Sequence, residues 1–393
     1  MLTRSYETET LNQYSIDKHL LYSKKISGNA PSVIVFAGIH GNEPAGIFGL
    51  KRVIQRLQDD ACQLKGNFYA IAGNLNALNK NIRFEKSDLN RLWTKERIRL
   101  LNELNAEENP EKEEQIALYQ IIRNIVSNNQ GPFYFIDLHT TSAETIPFIT
   151  ISDSLNNRKF TSNFPLPIIL GIEEYLEGPL LTYINEYGHV SLGFEAGQHT
   201  DLKSIENCEA FIWLSLQIAN CIDKKNLDDF HIYEEIMNKY TPYYNFYEID
   251  DVYLLDDQED FMMIQGFENF TPIAKDQVLA MSNSREIKAS MRGQLFMPLY
   301  QKQGKEGFFI ITKVTKFWLQ LSIIVRKMKL DNLLRILPGI QRYTNNRHVL
   351  VVNPKVAQFM ATDIFHLFGY RKKIKKGNNL YFIKRDRKII DFD

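Results

Sequence analysis

The run Ser32-Val-Ile-Val-Phe36 is apolar after its first residue, a glycine-rich loop from Gly38 to Gly46 follows it, and Pro44–Leu57 repeats apolar residues at helical spacing. A strand with no polar face must be covered on both sides, so this strand–loop–helix unit belongs to an α/β sheet. Open sheets of that kind take their ligands at the carboxyl ends of their strands. Here that end carries His40 and Glu43, three positions apart, and Gly38, Gly41 and Gly46 allow the backbone a sharp path around them.

Further strand-like runs, Asn67–Ala72, Phe133–Asp137 and Ser191–Glu195, alternate with helical stretches near Glu113–Asn128 and Ile205–Ile222. The fold this predicts is α/β, a mixed, mostly parallel sheet flanked by helices. Glu103–Lys112 reads as a surface connection, and Pro165 and Pro167 interrupt any continuous element around them. After about Lys224 come short β-prone pieces, Asp251–Leu255, Phe261–Ile264, Gln277–Ala280 and Gln294–Met297, which predict a small β domain. Beyond Phe317 the pattern is a helical stretch, a strand at His348–Val352, a helix over Pro354–Phe368 and a hairpin turning at Lys376–Asn379. This predicts a compact C-terminal α+β module, and boundaries at 1–224, 225–315 and 316–393.

Charge supports the last boundary. The chain of 393 residues is formally neutral, which gives no global reason to expect nucleic acid as a partner. From Lys313 onward, however, there are 18 Lys and Arg against 5 Asp and Glu, so this basic tail is +13 and residues 1–312 are −13. Docking of the tail against the rest of the chain would neutralise both. The three cysteines lack CxxC spacing and read as reduced packing residues. No stretch approaches the roughly 20 apolar residues that span a bilayer, and Met1–Thr10 has no apolar core, so the expectation is a cytoplasmic protein without membrane contact. Oligomeric state is left open, a homo-oligomer included.

His139 closes a second apolar run, Phe133-Tyr-Phe-Ile-Asp137, and with His40 and Glu43 makes a three-ligand set of the kind that leaves zinc one position for water. That points to hydrolysis. Asp137, two residues before His139 on the same strand, is positioned to accept from its ring if the strand continues through Leu138. In the run from Arg83 to Arg91 with Asn90, one guanidinium is suited to a developing oxyanion and the other, with the amide, to a substrate carboxylate. Glu195 ends a further strand and is suited to carry a proton between water and a leaving nitrogen. His199, four residues on, is expected to pack on its loop.

Taken in order, GIHGNEPAG (38–46), Arg83 with DLNR (88–91), DLHTT (137–141) and GFEAG (193–197) resemble the succinylglutamate desuccinylase/aspartoacylase family, a branch of the zinc carboxypeptidase-like fold, over roughly residues 30–310. The resemblance implies one zinc per chain held by His40, Glu43 and His139, with Glu195 as general base and acid. It further implies that Arg83 polarises the scissile carbonyl and that Asn90 and Arg91 hold a substrate carboxylate. Residues 1–224 would then be a zinc amidohydrolase domain and 225–315 the part that shapes the substrate channel, while 316–393 has no counterpart. Leu181–Tyr187 contains no Arg where aspartoacylase carries one for a second carboxylate, and Gly304–Phe309 lacks a Tyr found there, which argues against N-acetylaspartate as substrate.

The activity this implies is zinc-dependent deacylation of an N-acyl amino acid or a similar carboxylate-bearing amide. A carboxypeptidase of short peptides is the rival enzyme. From a different class stands a metal-bearing binding module whose cluster Arg371–Lys376, with Tyr370 and Tyr381 to stack, engages an anionic partner.

Overall fold

The computed structural model describes residues 16–386 apart from 60–61, 102–108, 257, 302, 344–345, 347 and 354–361. The N-terminal run, most of the 103–112 connection and the first half of the 354–368 helix lie outside the described residues. The fold is α/β, as the alternation predicts, around one large sheet. Its strands in chain order are β1 (Leu20–Lys24), β2 (Ser32–Ala37), β3 (Asn67–Ala72), β4 (Phe133–Thr141), β5 (Phe148–Ile151), β6 (Ile168–Leu170), β7 (Val190–Gln198) and β8 (Phe246–Leu254). After these come β9 (Phe261–Met263), β10 (Pro272–Ile273), β11 (Val278–Ser282), β12 (Arg285–Lys288), β13 (Gly293–Phe296) and β14 (Glu306–Lys313).

In the centre, β3, β2, β4 and β7 lie parallel. Every residue of β2 is buried, and its alternate side chains enter opposite cores. Val33, Val35 and Ala37 pack toward helices Ala45–Gln58 and Lys203–Ile218. Ile34 and Phe36 pack toward helices Pro110–Ser127 and Leu180–Glu186. That two-sided burial is why the strand reads as continuously apolar.

The later β segment joins the same sheet. Strand β8 pairs with β6, and β14, β13 and β10 extend the sheet beyond it, while β12-β11-β9 form a separate small sheet. Strands β1, β5 and β6 had no counterpart in the sequence reading; they are short, and Pro165 and Pro167 stand just before β6. The C-terminal segment opens with helix Lys316–Lys327 and forms a four-stranded antiparallel sheet from β15 (Ile340–Arg342), β16 (Val349–Val352), β17 (Tyr370–Lys376) and β18 (Asn379–Lys384). Its hairpin turns where expected, Lys376 pairing with Asn379.

This segment is fixed to the sheet by buried charge. Asp153, fully buried two residues past β5, accepts from Arg158 Nη2 at 2.8 Å, Arg326 Nη2 at 2.9 Å and Arg371 Nε at 2.7 Å. Arg371 also donates to Glu174 Oε1 at 2.9 Å, Arg385 lies 3.1 Å from Glu173, and His366 contacts Glu174 at 3.2 Å. Arg326, His366, Arg371 and Arg385 come from the basic tail, so the charge split in the sequence is resolved internally at these residues. The cation pairs hold Asp153 ionised despite the burial that opposes it. They likewise bring Glu174 down to about 2 against its burial, through His366 and Arg371.

Removing one member of a buried ion cluster leaves its partners uncompensated, at a cost of about 3–5 kcal/mol. Asp153→Ala should therefore lose stability of that order in urea unfolding, and a loss below 1 kcal/mol would show that the cluster does not hold the segment. The depressed carboxyl of Glu174 makes its contribution complete above its unfolded pKa near 4.5 and lost as pH falls toward 2. Thermal scans of Glu174→Gln should show a smaller loss of Tm across that window than the unmodified chain.

Candidate metal centre

The parallel strands deliver the site residues to one edge. His40 follows β2, His139 lies within β4, and Glu195 on β7 is its register partner, so the two are side by side. Gly38, with φ +70°, turns the chain out of β2. At Gly41 a Cβ would fall 2.1 Å from the Ala77 carbonyl carbon, so only glycine lets the loop close against its neighbour.

His40 Nδ1 lies 2.9 Å from Glu43 Oε1, and His139 Nδ1 lies 3.0 Å from Glu43 Oε2. The donor atoms of the three residues all fall within 4.8 Å of one another, and all three side chains are buried. Each ring presents its other nitrogen to a carboxylate: His40 Nε2 to Asp88 Oδ1 at 3.1 Å, and His139 Nε2 to Asp137 Oδ2 at 2.7 Å. Strand β4 continues through Leu138, which puts Asp137 and His139 on one face. Aspartates so placed would hold the Nε2 protons when a metal takes the Nδ1 lone pairs. Two imidazoles and a carboxylate converging in this way are a donor set that fits a metal ion. Burial opposes it, but the two imidazoles keep Glu43 well below the usual carboxylate range, and Asp137 and Glu43 in turn raise His139.

The loop carrying Arg83 and Asp88 is held from below. Glu111, in the first turn of helix Pro110–Ser127, accepts the backbone N–H groups of Glu85, Lys86 and Ser87. Asp88 then caps the 3-10 turn Leu89–Arg91 by accepting from Asn90 N at 2.9 Å. Arg83 bridges Glu43 at 3.3 Å and Asp88 at 3.1 Å. Asp88 was part of a motif noted in the sequence without a task; its contact with His40 spans 48 residues and has no local signature.

All seven residues singled out from the sequence, His40, Glu43, Arg83, Asn90, Arg91, His139 and Glu195, line one cavity of about 150 Å³. His199 packs on Thr140, its Nδ1 2.8 Å from Oγ1, and lines the cavity as well. Glu195 is buried, and its Oε2 has no hydrogen-bond partner. Burial, reinforced by Glu43 and Asp137 and opposed by His139 and Arg83, pushes its carboxyl up to about 8. The far wall brings in Met297, Pro298, Leu299, Gln301, Glu306 and Phe309 from the later β segment. Glu306, which the sequence reading did not select, lies 3.4 Å from Arg91 Nη2.

Residues 29–209 match the succinylglutamate desuccinylase/aspartoacylase catalytic domain. Among curated proteins, a succinylglutamate desuccinylase of Photorhabdus laumondii is 35% identical over 85 residues, 22% of this chain and 26% of that one. Another, from Paraburkholderia xenovorans, is 30% identical over 112 residues, 28% and 31% of the two chains. The matched stretches thus span between a quarter and a third of those relatives. In fold, the chain is similar to a succinylglutamate desuccinylase from Vibrio parahaemolyticus (TM-score 0.55, 16% identity, 75% of this chain and 85% of that one). It is also similar to a product-bound ectoine utilization protein from Ruegeria pomeroyi (TM-score 0.53, 17% identity, 75% and 88%).

Asp88 touches the donor set from behind, through His40 and through Arg83; if the set binds zinc, Asp88→Ala should weaken that binding by roughly 10- to 100-fold while His139→Ala abolishes stoichiometric binding. Competition with a chelating dye measures both. Unaltered affinity in Asp88→Ala would remove it from the site, and one equivalent of tightly held zinc in His139→Ala would remove that ligand.

Proposed function

We propose that this chain, which belongs to the succinylglutamate desuccinylase/aspartoacylase family through residues 29–209, is a zinc-dependent hydrolase of linear amides. Its substrate would be an N-acylated amino acid or a similar amide that carries a carboxylate. The observation that carries this reading is the buried Glu195, whose Oε2 has no hydrogen-bond partner, beside a His–Glu–His donor set. A carboxyl group in that position is costly unless its proton is needed, and proton carriers in active sites are tuned in this way.

His40, Glu43 and His139 would hold one zinc ion. When bound, such an ion acidifies water toward neutral pH and polarises a carbonyl. Glu195 takes the proton of the attacking water and returns it to the leaving nitrogen. Arg83, steered by Glu43 and Asp88, offers its guanidinium to the carbonyl oxygen as charge builds there. Asn90 and Arg91 anchor the substrate: the Asn90 carbonyl oxygen accepts from Leu180 N at 3.0 Å, which leaves its amide nitrogen for a substrate acceptor. Thr140 N–H donates to Glu43 Oε2 at 3.0 Å and keeps that carboxylate from turning away from the rings.

In functional terms we divide the chain into 1–224 with the chemistry, 225–315 with the far wall of the cavity, and 316–393 with the fastening at Asp153. Among the described residues no helix is long and apolar enough to cross a membrane, and we place the protein in the cytoplasm.

Glu195→Gln keeps the shape and removes the proton carrier. It should leave one zinc per chain and lower kcat for acyl-amino acid hydrolysis by roughly 10²–10⁴-fold, measured by amine release. Turnover within threefold of the unmodified enzyme would refute the assignment.

A further inference from the structure

Among the described residues, the part of the cavity away from the His–Glu–His set presents one cation and one anion, and they touch. Arg91 Nη1 donates to Asn90 O at 3.2 Å, and its Nη2 lies 3.4 Å from both carboxylate oxygens of Glu306. The remaining charged or titratable lining residues, His40, Glu43, Arg83, His139, Glu195 and His199, belong to the metal end. Glu306 is contributed by β14, far from Arg91 in sequence, and both side chains are partly shielded, with 27% of Arg91 and 16% of Glu306 exposed.

A substrate that brings only a carboxylate to Arg91 would satisfy the guanidinium and leave Glu306 partly desolvated without a partner. That is an unfavourable exchange, because one ion pair is replaced by another plus an uncompensated charge. A head group with a carboxylate and an ammonium on the same carbon satisfies both residues at once. From this charge balance we infer that the site selects the zwitterionic head of a free α-amino acid, with the carboxylate on Arg91 and Asn90 and the ammonium on Glu306. The inference deepens the hydrolase reading and rests on it for the reaction.

The consequence for chemistry is specific. If the α-ammonium is free, the amide to be cleaved is on the side chain, and with the deacylase reading above the substrate class is a diamino acid acylated at its distal nitrogen. Apart from Arg91 and from Arg83, which is tied to Glu43 and Asp88, the described lining has no Lys or Arg, so the acyl group chosen for the test is an uncharged acetyl. Hydrolysis adds water across that amide, breaks its C–N bond and yields a carboxylate such as acetate and the free diamino acid. Glu306 enters as a specificity residue, outside the bond-breaking steps.

The test compares Nε-acetyl-lysine with two near-identical molecules, Nα-acetyl-lysine and 6-acetamidohexanoate, the second lacking only the α-ammonium, together with the ornithine series one carbon shorter. The zinc-loaded enzyme should favour the distally acylated amino acid at least tenfold in kcat/KM over both controls in one of the two series. Glu306→Gln should reduce its advantage over the ammonium-free control at least tenfold, chiefly through KM. Equal use of the molecules by the unmodified enzyme, or an advantage that survives Glu306→Gln, overturns the inference. Calorimetric binding of norleucine against hexanoate separates head-group recognition from reaction. Tighter binding of norleucine with no amide cleaved would support the head-group assignment and sink the hydrolase reading. Equal binding with active hydrolysis of α-acylated amino acids would do the reverse.

Discussion

A carboxylate removed from water must be answered by positive charge, and two such groups organise this molecule. Glu43 draws together His40, His139 and Arg83 at the carboxyl edge of the central strands. Asp153 draws together Arg158, Arg326 and Arg371 behind the same edge. The first collects chemistry and the second collects chain, since two of its three arginines come from the tail beyond residue 315. The two centres are linked through short connections. Ile151 and Ser152 line the cavity and Asp153 is the next residue, while Ile172 lines it and Glu173 and Glu174 follow. The wall of the cavity is thereby fastened from behind by residues that never face it.

How much of this could be read in the sequence depended on distance along the chain. The unit from Ser32 to Leu57 was legible because a two-sided buried strand, a glycine-rich turn and an amphipathic helix are each local patterns, and they appear as β2 and helix Ala45–Gln58. His40, Glu43, His139 and Glu195 stood out because they close apolar strands, and parallel register does the rest. Asp137 could be assigned a partner because i and i+2 on a strand share a face. Asp88 and Glu306 could not, for their partners lie 48 and 215 residues away and the pairing depends on how separate loops meet. Strands β5 and β6 escaped for a different reason: runs of 4 and 3 residues carry no usable period.

The charge split was the sequence feature with the least local meaning and the clearest structural answer. A +13 tail could face solvent or a polyanion, but Arg326, Arg371 and Arg385 are buried against Asp153, Glu174 and Glu173. Spatial proximity of β5 and the turn at Ile172–Glu174 supplied the acidic half of that arrangement, and neither element had been visible beforehand.

Because β8 hydrogen-bonds directly to β6, the large sheet runs without interruption from the first strand to β10. A fragment ending at residue 224 would retain His40, Glu43 and His139 and still present the backbone of Ile168–Leu170 as a bare edge. Unprotected edges of that kind template association with other chains. Expression of residues 1–224 alone is therefore a route to aggregates, and the β segment behind them serves as a built-in solubility shield.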